Sequence, residues 1–173
     1  DVLVNNAGYA KFGPIALVPD GELRGQFETN VFGLVKVTQA FLPAMRTRGH
    51  GKVINVSSMV GRMTLILQGV YCATKYAVEA LTDCLRREVA GFGIHVTLVE
   101  PGMIRSSFED TAGADAGVYA EDPVYGPAVQ TWAVEGAKMY KKAPGPEPIT
   151  RTLSKVIAAR RPRARYISPA RNV

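Results

Sequence analysis

Residues 57–75 read SSMVGRMTLILQGVYCATK, and the rest of the chain is organised around this stretch. Tyr71 and Lys75 are four residues apart, so on a helix their side chains rise from one face, one turn apart. A free phenol titrates at about 10, and an ammonium within about 4 to 6 Å lowers that pKa. The pair is therefore typical of a tyrosine that gives and takes a proton near neutral pH.

A predicted strand leads into this stretch. Residues 53–56, Val-Ile-Asn-Val, form a short apolar run that predicts a buried parallel strand. Ser58 follows at its carboxyl end, where a hydroxyl can face a tyrosine at the start of the next helix. Tyr-x-x-x-Lys alone occurs on many solvated helices, so Ser58 is the residue that favours a catalytic interpretation.

Strands and helices alternate along the chain. Strands are predicted at 1–4, 52–56, 94–99 and 165–168, and amphipathic helices at 22–46, from 69 or 70 to about 90, and at 148–159. Pro43 is expected to kink the end of the first helix. The alternation predicts an α/β fold: one domain, residues 1–173, with a parallel, doubly wound sheet of about four strands.

Three clusters of small residues lie at one edge of this predicted sheet. Asn6-Ala7-Gly8, Ser57-Ser58 and Pro101-Gly102 each follow a predicted strand. Ligands of such sheets bind beyond the carboxyl ends of the strands, so the clusters predict a binding site there. Gly91-Phe92-Gly93 follows a helix and precedes a strand, which is the wrong order for a phosphate-binding loop.

Composition excludes several classes of function. The net charge is +6, but five arginines near the carboxyl end carry +5 of it. These are Arg160, Arg161, Arg163, Arg165 and Arg171. We expect the basic run at 160–165 to be a solvated connection, since no interleaved aromatic residues indicate nucleic-acid binding. The two cysteines and two histidines form no metal-binding pattern, and no apolar run approaches the roughly 20 residues that span a bilayer. We expect a soluble, cytoplasmic protein without metal or nucleic acid.

Five separate motifs resemble the short-chain dehydrogenase/reductase family. They are Asn5-Asn6-Ala7-Gly8, Asn30, Ser58, the pair Tyr71 and Lys75, and Pro101-Gly102, in the family's order and spacing. The resemblance covers residues 1 to about 108, and the context of Tyr71 is closest to hydroxysteroid and retinol-type members. It implies a Rossmann-type fold and hydride transfer between NAD or NADP and a secondary alcohol or its ketone.

The resemblance also implies four catalytic roles. Tyr71 would move the hydroxyl proton, and Ser58 would hydrogen-bond the substrate oxygen as charge develops on it. Lys75 would lower the pKa of Tyr71 and hold the nicotinamide ribose. Asn30 would bend its helix and hold a water behind the lysine.

Cofactor contacts follow from the same resemblance. The turn Asn6-Ala7-Gly8 would contact the adenosine half of the cofactor, which its backbone can approach closely because large side chains are absent. Residues 101–106 resemble the family's carboxamide-binding segment Pro-Gly-x-x-x-Thr, with a serine that keeps the hydroxyl. The expected cofactor-binding residues are Asn6, Ala7, Gly8, Tyr71, Lys75, Pro101, Gly102, Ile104 and Ser106.

One family feature has no counterpart in these 173 residues. The family's glycine-rich pyrophosphate loop, its first two strands and the residue that selects NAD or NADP all precede the asparagine-alanine-glycine turn. This sequence begins at that turn, so we expect the C-terminal, catalytic part of such an enzyme, inactive alone and a homo-oligomer when complete. NAD and NADP both stay open, and the strand at 1–4 would be a bare apolar edge.

Residues 106–148 follow the carboxamide segment and are less regular. They mix glycine-rich sequence with Tyr119, Tyr125 and Trp132, which predicts a mobile lid over a hydrophobic small-molecule substrate.

Two other functions stay open. A sugar-nucleotide epimerase shares the Tyr-x-x-x-Lys pair but not the Pro-Gly-x-x-x-Ser segment. A non-catalytic, truncated paralogue could act as a partner subunit, and upstream coding sequence for a glycine-rich strand-loop-helix would argue against it.

Overall fold

A sheet of four parallel strands forms the centre of the computed structural model, which describes residues 1–108, 112 and 116–169. The strands, in spatial as in chain order, are β1 (Val2–Asn5), β2 (Gly51–Val56), β3 (Ile94–Pro101) and β4 (Arg165–Ser168). The register pairs Asn5 with Asn55, and Val56 with Val99. The predicted parallel sheet of about four strands is confirmed.

A π-helical stretch around Asn30 interrupts the first helical run. The run consists of α1 (Asp20–Phe27), the π-helical stretch (Glu28–Gly33) and α2 (Leu34–Arg48). The single helix predicted over 22–46 is thus two helices, because the π-helical turn around Asn30 interrupts the α-helical ladder. Pro43 lies on the exposed side, where water can bond the carbonyl it leaves unpaired, and α2 continues past it to Gly49 at φ 70°.

Three further α-helices follow in the described part of the chain, and one of them was not predicted. They are α3 (Gly69–Glu88), α4 (Gly126–Lys142) and α5 (Glu147–Ala158). The predictions for α3 and α5 are confirmed, whereas α4 lies in the segment expected to be irregular. Its fully buried residues are Gly126 and Val129, so its apolar stripe is too short to recognise from sequence. No described helix is long and apolar enough to cross a bilayer.

Apolar residues cover both faces of the sheet. Val53 packs with Met45 of α2 on one face, while the next residue, Ile54, packs with Val99 and with Val156 of α5 on the other. Both faces of β2 and β3 are therefore buried, as a doubly wound sheet requires.

β1 is an edge strand of this sheet. Val2 and Val4 are 40% and 36% exposed, which matches the predicted apolar edge.

Candidate active site

A cavity of about 570 Å³ lies at the carboxyl ends of β1, β2 and β3, where the three small-residue clusters meet. Predicted site residues on its wall are Asn6, Gly8, Ser58, Tyr71, Lys75, Pro101, Gly102, Ile104 and Ser106. Two predicted residues stand elsewhere: Ala7 is exposed outside the wall, and Asn30 is buried behind it.

Tyr71 stands in the first turn of α3. It is 7% exposed. Its ring packs edge-on against Phe12 and tilted against Phe108, with centroid distances of 6.1 and 5.5 Å. Two aromatic neighbours restrict the ring, so the phenol is held at the cavity wall.

Lys75 follows Tyr71 by one helical turn and is buried, at 6% exposure. Its Nζ donates to the Val56 carbonyl oxygen at 3.0 Å and lies 5.7 Å from the centre of the Tyr71 ring. Burial lowers the pKa of Lys75 to about 8, against the opposing effect of the Glu79 charge. The lysine therefore stays mostly charged at pH 7 but can titrate just above it.

Asn30 ties the turn after β1 to α3. Its Oδ1 accepts from the Tyr9 backbone N–H at 3.0 Å, and its Nδ2 donates to the Tyr9 carbonyl at 2.8 Å and to Thr74 Oγ1 at 3.1 Å. Sequence reasoning missed Tyr9 and Thr74, since nothing local marks them as partners. These bonds hold Asn30 rigidly beside Gly8, where an added Cβ would lie 3.1 Å from Asn30 Oδ1.

Ser58 links the end of β2 to the end of β3. Its Oγ accepts from the Val60 N–H at 3.3 Å and donates to the Pro101 carbonyl at 3.5 Å. The first bond caps the short 3₁₀ turn at 59–61. Ser58 therefore has a structural role in addition to its place on the cavity wall.

Residues 102–106 are held from α4 and β4. The Gly102 N–H donates to the Ser168 carbonyl at 2.9 Å, and the Arg105 N–H donates to the Pro144 carbonyl at 2.8 Å. The Tyr140 hydroxyl accepts from the Ser106 N–H at 2.9 Å and donates to the Ser106 carbonyl at 2.8 Å. Sequence reasoning missed Tyr140, which fixes the backbone of a predicted cofactor-binding residue.

Comparison with known proteins decides the family. A sequence model of the short chain dehydrogenase family matches residues 1–117. The chain belongs to this family.

Full-length relatives extend the match over almost the whole chain. The probable short-chain type dehydrogenase/reductase VdlC of Helicobacter pylori is 34% identical over 96% of the chain and 61% of its own length. The NADPH-dependent 3-dehydrocapnine reductase of Ornithobacterium rhinotracheale is 39% identical over 96% of the chain and 60% of its own length. A short-chain dehydrogenase structure from Streptomyces avermitilis superposes with a TM-score of 0.80 at 33% identity, covering 98% and 61% of the two chains. This chain thus spans about 60% of the length of each of these three proteins.

An apolar cluster surrounds Tyr71 at the cavity wall. Tyr71 packs in it with Phe12 and Val60, and Phe108 and Trp132 lie against it. Trp132 of α4 meets Phe12 edge-on at 5.4 Å between centroids. Trp132, from the segment predicted to be a lid, thus packs against this cluster, while residues 109–111 and 113–115 of that segment lie outside the described residues.

A group of charged side chains, here called the charge bridge (Glu79, Asp83, Glu100 and Arg165), lies behind the cavity, with Glu79 and Glu100 buried and Asp83 and Arg165 partly exposed. Arg165 Nε is 3.2 Å from Glu79 Oε2 and 3.1 Å from Glu100 Oε1, and its Nη2 is 2.5 Å from Asp83 Oδ2. Arg165 was expected to belong to a solvated basic run, but β4 places it against three carboxylates. An acidic residue in the apolar run of β3 was the signal that could have indicated the bridge.

Proposed function

We propose that the chain carries the catalytic part of an NAD(P)-dependent oxidoreductase that interconverts a secondary alcohol and its ketone. The observation that supports this most is the meeting of Ser58, Tyr71 and Lys75 on one cavity at the strand ends. The nicotinamide cofactor would accept or give the hydride at the carbinol carbon.

Tyr71 is the acid and base in this proposal. During oxidation its phenolate oxygen takes the hydroxyl proton, and during reduction its phenol returns that proton to the substrate oxygen. The Lys75 charge, 5.7 Å from the ring centre, favours the phenolate. The Ser58 hydroxyl, whose 3.5 Å bond to Pro101 is long, can turn to donate to the substrate oxygen.

The cavity suits the nicotinamide side of the cofactor. Lys75 has three N–H donors and, in the described part of the chain, one recorded acceptor at Val56, so donors remain for ribose hydroxyls. A Cβ on Gly8 would lie 3.7 Å from Lys75 Nζ and would occupy the space that such a ribose needs. Ile104 and Ser106 line the same cavity and would contact the carboxamide.

The proposed substrate is neutral and hydrophobic. Among the described residues that line the cavity, Lys75 is the one charged side chain, and its ammonium is already bound to a backbone carbonyl. A carboxylate or phosphate on the substrate would find no arginine there to pair with. Phe12, Phe108 and Trp132 instead offer apolar area beside Tyr71.

The experiment joins this chain in frame behind the glycine-rich amino-terminal segment of a full-length relative. Initial rates are measured with NADH and NADPH on matched ketones with and without a carboxylate. We expect turnover of the neutral ketones and a loss of about 10² to 10⁴-fold in Tyr71→Phe with much less effect on cofactor binding. Tyr76→Phe, at an exposed position of α3, is the matched control and should keep its activity. Full activity of Tyr71→Phe would refute the assignment.

A further inference from the structure

Glu79 is a buried charge on the face of α3 that carries Lys75, one turn further along. It is 7% exposed, and its Oε1 has no hydrogen-bond partner among the described residues. Buried carboxylate oxygens are normally satisfied. The unmet oxygen therefore leaves the negative charge of Glu79 only partly neutralised.

Arg165 neutralises the charge of Glu79 only in part, because two other carboxylates share its guanidinium. Its Nε lies equally close to Glu100, and its Nη2 is bound to Asp83. Two other guanidinium groups lie near the charge bridge: Arg62 is 3.7 Å from Glu100 Oε2 and 58% exposed, and Arg86 is bound to Asp83. Neither is paired with Glu79, so a share of Arg165 is the guanidinium contact that Glu79 has among the described residues.

The Glu79 side chain and the Lys75 backbone both lie against the short 3₁₀ turn at 59–61, which follows β2. An added Cβ on Gly61 would lie 3.0 Å from Glu79 Cγ, 2.7 Å from Ser57 Oγ and 3.2 Å from the Lys75 carbonyl oxygen. Glu79 therefore packs under the turn, next to Ser57. The Lys75 ammonium binds the carbonyl of Val56, the residue before Ser57. Glu79 and Lys75 are thus both buried next to the end of β2 and the turn that follows it, one helical turn apart on α3.

We propose that Glu79 is a positioning residue whose buried, partly neutralised carboxylate keeps the ammonium of Lys75 charged, so that Lys75 can support the Tyr71 phenolate. The role rests on the function proposed above for Tyr71 and Lys75. Glu79 does not line the cavity and acts through Lys75. Without it, the neutral Val56 carbonyl alone would oppose the cost of burying the ammonium.

The test follows the Lys75 proton rather than turnover, so it can succeed or fail whether or not the chain transfers hydride. In the chain labelled with ¹³C at lysine Cε, Lys75 should titrate near pH 8 by NMR, with Lys75→Met identifying its signal. Glu79→Gln keeps the volume and removes the charge, so the midpoint should fall by about one pH unit. Glu79→Asp keeps the charge and should keep the midpoint. Asp83→Asn removes another carboxylate from the charge bridge and should shift it much less.

Either of two results in these variants would overturn the proposal. One is a Lys75 midpoint that Glu79→Gln leaves unchanged. The other is a larger shift in Glu79→Asp or Asp83→Asn than in Glu79→Gln, which would indicate packing rather than charge.

A measurement without a Glu79 variant covers the case in which Glu79→Gln does not fold. The NMR signal of the Glu79 carboxyl carbon in the unaltered chain should change near pH 8 as Lys75 loses its proton, and Lys75→Met should abolish that change. A flat signal there would equally overturn the proposal. The same effect can be followed in the active protein that joins this chain to the amino-terminal segment of a relative. There, the alkaline limb of the pH profile of kcat should shift together with the titration midpoint of Lys75, while KM stays constant.

Discussion

Replacement of Arg165 by methionine tests the energetics of the charge bridge. Arg165→Met keeps an unbranched apolar stem but leaves Glu79, Glu100 and Asp83 without their shared guanidinium. Removal of one partner of a buried ion pair costs about 3 to 5 kcal/mol, because an uncompensated charge stays behind. The Arg165 side chain is 32% exposed, so water relieves part of this loss. We expect the free energy of unfolding at pH 7 to fall by about 2 to 3 kcal/mol.

The pH dependence of this loss follows from Glu100. Burial and then the neighbouring Glu79 charge raise the pKa of Glu100 above 4.5, against Arg62 and Arg165. A raised pKa in the folded state means that the folded chain binds this proton more tightly than the unfolded chain. The stabilising effect of the proton is complete below pH 4.5 and is lost as the pH rises through the raised pKa. Arg165→Met raises that pKa further, so its deficit should be largest at pH 7 and should shrink towards pH 4.5.

Urea unfolding at pH 7 and pH 4.5, followed by the fluorescence of Trp132, the single tryptophan, measures both effects. Arg161→Met makes the same chemical change at an exposed position and should stay within about 0.5 kcal/mol of the unaltered chain. The reasoning is refuted if Arg165→Met costs less than about 1 kcal/mol at pH 7, or if its cost is equal at the two pH values.

Three further predictions concern the cavity and the segment beside it. Gly8→Ala places a Cβ 3.1 Å from Asn30 Oδ1 and in the space proposed for the nicotinamide ribose. In the active joined protein, the Kd of the cofactor, measured by fluorescence titration, should therefore rise about tenfold. An unchanged Kd would mean that the ribose binds elsewhere. Without ligand, the amides of α4 should exchange hydrogen faster than those of α3, and equal protection would contradict a mobile lid. The 173-residue chain alone should show no saturable binding of NADH or NADPH at micromolar concentration, since no phosphate-binding glycine loop occurs in its sequence. Saturable binding there would show that the fold compensates.

Local sequence patterns were enough to predict the sheet and the central catalytic candidates. Short apolar runs that alternate with helical patterns predicted four strands and their parallel arrangement, because strand burial and helix periodicity are properties of neighbouring residues. Tyr71 and Lys75 share a helix face by their spacing alone, and Ser58 is placed by the end of β2. These residues were therefore predictable together with the edge of the sheet on which they meet.

Contacts between distant segments were decided by the tertiary structure alone. Arg165 meets Glu79 and Glu100 because the parallel register of β3 and β4 sets it two residue positions from Glu100 along the sheet. Composition had counted Arg165 as part of a solvated basic run. Tyr140 bonds Ser106 across 34 residues, which no periodicity marks. Ion pairs and hydrogen bonds of this kind depend on the relative positions of packed helices and strands. Those positions are determined by the core as a whole rather than by any local stretch of sequence.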